Sequence, residues 1–123
     1  MDVKTKIIGD FGEKIAARYL KKRGYKIVKR NYKTAHGEID IICENQDFLV
    51  FVEVKSRKDV AENFEDYGLP RTAVTRKKQE HIVYSARQFL ERFEAEKEIR
   101  FDVIEVYLGR TPRVCHIESA FHL

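Results

Sequence analysis

Two runs of strand length, Gly37-Glu-Ile-Asp-Ile-Ile-Cys43 and Phe48-Leu-Val-Phe-Val-Glu-Val-Lys55, are separated only by Glu44-Asn-Gln-Asp47. The interval is polar and turn-like, so the runs are expected to pair as an antiparallel hairpin. A turn centred between Asn45 and Gln46 sets Ile39 opposite Val52 and Ile41 opposite Val50. Cys43 and Val54 lie on that same, wholly apolar face. The other face mixes Glu38, Asp40, Glu53 and Lys55 with Ile42, Leu49 and Phe51, so it too is expected to lie under a helix. In this register Glu38 faces Glu53, and Asp40 sits on the diagonal from Glu53, within joint reach of one ion.

The rest of the chain supplies the cover. From Thr5 to Arg23, Ile8, Phe11, Ile15 and Tyr19 recur at spacings of three and four, which predicts an amphipathic helix with these residues as its apolar stripe. Lys21-Lys22-Arg23 before Gly24 make a cationic last turn with a glycine stop. Tyr25 to Asn31 reads as a strand. Ser56 to Pro70 is polar and aperiodic, long for a connection in so small a domain, and is a candidate mobile or functional loop. A second helix is predicted from about Thr72 to Glu94, with Ile82, Ala86, Phe89 and Phe93 on one face. Strands return at Arg100 to Leu108 and Val114 to Ile117. This order, in a chain of 123 residues, predicts an α/β fold: a single domain, 1–123, with a central mixed β-sheet and flanking helices.

Several function classes drop out. The longest apolar run, Phe48 to Val52, is far short of the about 20 residues a membrane span needs. Met1 to Ile8 lacks the apolar core of a secretion signal, so no membrane role is expected and the expected compartment is cytoplasmic. Cys43 and Cys115 form no CxxC or Cys/His cluster and read as small buried hydrophobes, which disfavours structural zinc and a disulfide framework. His36, His81, His116 and His122 show neither HxxxH nor HExxH spacing. No nucleophile elbow and no glycine-rich phosphate loop occur. Lys and Arg number 24 against 20 Asp and Glu, a net charge of +4 that admits a polyanionic partner without requiring one.

The carboxylates of the hairpin carry the chemistry. Glu38, Asp40 and Glu53 gathered on a partly covered face repel one another unless a positive partner joins them. A hard divalent cation, held by one or two carboxylates with waters and a substrate phosphate, resolves the conflict; Lys55 neutralises only part of it. A solvated polar rim at the sheet end is the plain alternative. Lys78 continues the inward stripe of Ile82, Ala86 and Phe89, so Lys78 or its neighbour Gln79 could meet a substrate phosphate, or the lysine could extend off the helix end.

With Asp40 of Gly37-Glu-Ile-Asp40 thirteen residues ahead of Glu53 in Phe51-Val-Glu-Val-Lys-Ser-Arg57, the chain resembles the restriction-endonuclease-like nuclease superfamily and its D…(D/E)-x-K signature. Over nearly its whole length it is similar to the YraN-type family of bacterial proteins, through Gly9-x-x-Gly-Glu13, Gly24-Tyr25, Arg30-Asn31, Arg100-Phe-Asp-Val103 and Ala120-Phe121. That family is similar in fold and motif order to archaeal Holliday-junction resolvases. Ile39 stands where the superfamily often has proline. The resemblance implies Asp40 and Glu53 as ligands of Mg²⁺ (or Mn²⁺), completed by the Val54 carbonyl, with Lys55 orienting or activating the attacking water or stabilising charge on the phosphate. It also implies that Glu13 reaches the same site; the helical pattern alone places Glu13 at the edge of the stripe, beside Ala16 and Leu20.

The expected function is therefore metal-dependent hydrolysis of phosphodiester bonds in DNA, branched or otherwise structured. Lys21 to Arg23, Lys29-Arg30 and Arg71 to Lys78 are candidate backbone contacts, and Tyr32, Tyr67 and Tyr84 candidate stacking residues, though core or surface roles are commoner for both sets. The resolvase likeness points to a homodimer, since paired cuts on a symmetric junction suit a two-fold enzyme. The rival is a non-catalytic nucleic-acid-binding or scaffolding module on the same fold. A protein-interaction domain indifferent to nucleic acid is the third reading.

Overall fold

A computed structural model describes residues 3–58, 74–93 and 96–122. Helix α1 (Val3–Lys22) is followed by strands β1 (Lys26–Thr34), β2 (Gly37–Glu44) and β3 (Phe48–Lys58), helix α2 (Arg76–Arg92), and strands β4 (Glu98–Leu108) and β5 (Arg113–Phe121). The strands form one sheet in the order β1-β2-β3-β4-β5. Only β3 and β4 run parallel, as the intervening α2 crossover requires; every other neighbouring pair is antiparallel. The fold is thus α/β, with a mixed sheet and a helix packed on each face. Among the described residues no helix is long and apolar enough to cross a membrane.

Each face of the sheet has its own core. On the α1 side Ala16, Ala17 and Leu20 meet Ile41, Cys43, Val50, Val52, Ile104 and Val106. On the α2 side Ile82, Ala86 and Phe89 cover Ile42, Leu49, Phe51, Phe101 and Val103, with Ile39 and Tyr32. The central strands are therefore apolar on both faces, as expected of a sheet covered twice.

The stripe expected on α1 is displaced. Phe11 is 52% exposed, while the residues at 0–6% are Ala16, Ala17 and Leu20; Ile15 and Tyr19 pack only at the margin. Small side chains let α1 lie close to the sheet, nearest at Gly12: a Cβ added there would stand 1.7 Å from Ser56 Oγ and 2.9 Å from its Cβ. The end of α1 follows the sequence signal. Gly24 adopts φ 92, and the Tyr25 N–H donates to Leu20 O. Helix α2 begins at Thr75, whose hydroxyl accepts the Lys78 N–H, and Phe93 beyond its end stacks on Phe89 but is 49% exposed.

The hairpin register also differs from expectation. The observed partners are Ile41↔Val52, Ile42↔Phe51, Cys43↔Val50 and Glu44↔Leu49, two residues removed from those expected. The cause is local: Asn45 Oδ1 accepts both the Asp47 and Phe48 N–H groups, and the Asn45 N–H donates to Phe48 O, which centres the turn on Gln46-Asp47. A two-residue shift preserves which face each residue occupies, so most of the facial pattern survives. Ile39 is the exception, packing with the α2 core rather than beside Ile41. The flanking pairs Arg30↔Ile41 and Tyr32↔Ile39 set Asn31 across from Asp40, and Asn31 has φ 54. This left-handed residue breaks the regular alternation there.

Several ends extend past the expected ones. Strand β1 runs on to Thr34, β5 reaches Phe121, and Ser56 to Lys58 continue β3 instead of opening a loop. The rest of the expected 56–70 loop, with Tyr67 and the start of the Arg71 to Lys78 cluster, lies outside the described residues. Cys43 is fully buried and Cys115 only partly; both are free thiols.

Candidate active site at the strand fork

The β2–β3 ladder begins beside the turn and reaches only Ile41↔Val52. Beyond it the strands part. Glu38 continues opposite Lys33 on β1, while Glu53, Val54 and Lys55 continue beside Val103, Ile104 and Glu105 on β4. Asp40 stands where they separate. There its Oδ2 accepts the Val54 N–H at 2.8 Å, the role a β2 backbone carbonyl would otherwise fill. A fork of this kind leaves a gap between strands that side chains and solvent can enter.

That gap is a cavity of about 870 Å³. Its wall brings together Glu13, Glu38, Asp40, Glu53, Val54, Lys55 and Lys78, from α1, β2, β3 and α2. Gln79 is not among them: its amide donates to Val74 O at 2.8 Å, fixing the approach to α2. Because of the shifted register Glu38 does not face Glu53, and Asp40 is not on its diagonal. The ladder instead projects Asp40 directly toward Glu53.

The electrostatics follow from crowding. Burial, then the neighbouring charge of Asp40, pushes Glu53 up to about 7, against the pull of Lys78 and Lys55. Glu13 rises to about 7 through burial and Asp40, with Arg30 opposing. Asp40 rises to about 6: burial outweighs the Val54 hydrogen bond, and Glu38 adds to the rise. Lys55 Nζ and Lys78 Nζ each stand 3.7 Å from Glu53 Oε1, and Arg30 stands 3.7 Å from Glu13 Oε1. Glu13 Oε1 is buried without any hydrogen-bond partner.

These residues suit a hard divalent cation in chemistry: carboxylate and carbonyl oxygens, excess negative charge, and one orphaned buried oxygen. As the side chains stand, no three His, Cys, Asp or Glu among the described residues are drawn together closely enough to hold an ion. The lysines draw Glu53 and Arg30 draws Glu13, so the carboxylates are held by separate cations. Mg²⁺ needs only one or two carboxylates beside water and phosphate, so Asp40 and Glu53 with the Val54 carbonyl meet that requirement.

Asp10 and Lys33 in the cavity wall were not named by sequence reasoning; Asn31 and Ser56 entered only within the motifs that carry the resemblance or as segment ends, and Arg30, ion-paired to Glu13, only there and as a candidate backbone contact. For Asn31 a signal existed, since asparagine inside a strand pattern often marks a backbone irregularity. For Ser56 the signal was absent, because its importance comes from the approach of Gly12. Tyr32 is buried edge-on against Phe89, which leaves it no free ring face for stacking, whereas Tyr84 is half-buried, bonds Gln88 and meets the His36 ring at right angles.

Comparison with known proteins gives the family. Residues 12–106 match the model described as the uncharacterised protein family UPF0102. The chain belongs to the UPF0102 family. It is 44% identical over 124 residues to a UPF0102 protein of Caldanaerobacter subterraneus, covering 97% of this chain and 98% of that one. Similar matches are a UPF0102 protein of Trichlorobacter lovleyi, 43% identical with 94% and 91% covered, and one of Clostridioides difficile, 44% identical with 92% and 95% covered. The matched stretch of UPF0102 includes Glu13, Asp40, Glu53, Lys55 and Lys78.

Proposed function

We propose that this UPF0102 protein is a metal-dependent nuclease-fold enzyme that hydrolyses phosphodiester bonds in DNA, branched or otherwise structured. The observation that carries this reading is the convergence of Asp40, Glu53 and Glu13, with pKa values raised to about 6 and 7, around one cavity that also holds Lys55 and Lys78. Asp40, Glu53 and the Val54 carbonyl would hold Mg²⁺ or Mn²⁺. A bound cation supplies Lewis acidity toward the phosphate and activation of water.

The chain's own groups do the rest. Lys55 and Lys78, each now near Glu53, can turn their ammonium groups onto phosphate oxygens as substrate enters, which frees Glu53 for the cation. Glu13 Oε1, titrating near neutrality, accepts a proton from water at the cavity wall. Arg30 and Lys33 on β1 extend positive charge along the backbone path. A pair of chains related by a two-fold axis would place one such site on each strand of a symmetric junction.

A second reading has an observation of its own. The carboxylates are already held by Lys55, Lys78 and Arg30, which is how a non-catalytic nucleic-acid-binding module on the same fold would close the site. One experiment separates them. Wild type, Asp40→Asn and Lys55→Met are incubated with a labelled four-way DNA junction and Mg²⁺ or Mn²⁺. The enzyme reading expects cutting by wild type and a loss of at least about 100-fold in both variants, with binding retained. Binding without cutting by wild type overturns it in favour of the module.

A further inference from the structure

A second groove adjoins the carboxylate cavity. It measures about 540 Å³, is lined by Ile7, Phe11, Lys14 and Arg30, and shares Asp10 and Asn31 with the first. Phe11 is 52% exposed and Ile7, one turn earlier on α1, is 60% exposed; neither belongs to either core. Holding a phenyl ring half in water forgoes burial that Phe51, Phe89, Phe101 and Phe121 achieve. Lys14 and Arg30 line the same groove as that ring, and Arg30 is also the cation that reaches Glu13 at 3.7 Å.

We propose that this groove binds an unpaired stretch of single-stranded DNA, with a base stacked on Phe11 and the backbone on Lys14 and Arg30. The inference rests on the nucleic-acid substrate proposed above and narrows its class. A half-exposed ring sharing one groove with two cations is the combination that single strands use, since every base has a π-face and every nucleotide a phosphate. An intact duplex keeps its bases stacked on one another and offers Phe11 nothing. Because the grooves share Asp10 and Asn31, a strand leaving the carboxylate cavity over Asn31 passes directly onto Phe11. The preferred substrate is then DNA with unpaired nucleotides beside the cut, such as a flap, a fork or an opened junction. Asp10 in the shared wall opposes the phosphate, which sets the backbone toward the Lys14 and Arg30 side.

The test is fluorescence anisotropy of the full chain with a labelled single-stranded oligonucleotide and a blunt duplex of equal length, in EDTA so that no cutting occurs. Phe11→Ala is expected to weaken single-strand binding roughly tenfold or more and duplex binding less than about twofold. Phe11→Tyr, which keeps the ring, retains single-strand affinity. Thermal melting confirms that both variants fold. No loss in Phe11→Ala, or equal loss on both DNAs, overturns the inference. So does a fall in sedimenting mass with single-strand affinity unchanged, which would make the patch an interface between copies of this chain. Wild type that cuts a junction yet shows no Phe11 effect overturns this inference alone. Phe11-dependent binding without cutting under Mg²⁺ or Mn²⁺ overturns the catalytic reading alone.

Discussion

Asp40 accepts a backbone hydrogen bond from Val54 while confronting Glu13, Glu38 and Glu53 across the fork. Carboxylates in unfolded chains titrate near 4, whereas Asp40 titrates at about 6 and Glu13 and Glu53 at about 7. The folded state therefore binds protons more tightly than the unfolded chain between those values. Stability from these groups is fully present below about pH 4 and is lost as pH rises through about 7. In urea melts without divalent metal, their contribution is expected to make the protein less stable at pH 8 than at pH 5.5. Asp40→Asn keeps an acceptor for the Val54 N–H while removing a charge, so it should stabilise the metal-free protein at pH 8 by ~1–2 kcal/mol. Destabilisation by this variant would contradict the crowding argument. Asp102 behaves oppositely. It is fully buried and accepts two bonds from Arg100, one from the Ser119 N–H, and is paired with His116, which hold its carboxyl below the usual range despite burial. Asp102→Ala leaves the buried Arg100 without its carboxylate partner and should cost about 3–5 kcal/mol in a denaturant melt.

The junction between α1 and β3 decides whether Glu13 reaches the fork. Gly12 lies against Ser56, and rotating the serine hydroxyl away would still leave the two β-carbons at 2.9 Å. Gly12→Ala should therefore lift α1 from the sheet, cost ~1–3 kcal/mol and weaken divalent-metal binding. The double variant Gly12→Ala/Ser56→Gly should recover most of that stability; failure to recover it would show that the clash lies elsewhere. Element identity was legible in the sequence where periodicity was strong, as in α2, β2 and β3. The α1 stripe misled because Phe11 and Ile8 satisfy helical spacing as well as Ala16 and Leu20 do, and spacing alone does not reveal which face meets a sheet. Hairpin register misled because two turn placements give the same facial pattern, and the choice rests on the Asn45 side chain. Both errors leave Asp40 and Glu53 in the wall of one cavity: a two-residue shift keeps each on its own face, and the parting of β2 and β3 follows their outer partners β1 and β4.

At the scale of the molecule, the central strands of the five-stranded sheet are buried on both faces, β2 and β3 part at the fork, and exposed positive charge extends from there along β1. Lys29 and Arg30 are exposed on that strand, as are Arg76 and Lys77 at the start of α2. If a few of these meet phosphates, DNA affinity should fall roughly ten- to hundredfold between 50 and 200 mM salt, measured by anisotropy. Affinity indifferent to salt would point to a partner other than nucleic acid. We propose that the fork carboxylates together hold a divalent cation. Isothermal calorimetry of wild type and Asp40→Asn with Mn²⁺ and Mg²⁺ at pH 8 tests it most directly. Saturable binding to wild type is expected, weakened at least tenfold in Asp40→Asn and released on acidification toward pH 5.5. Binding of equal strength in both proteins, or none to wild type, would contradict it.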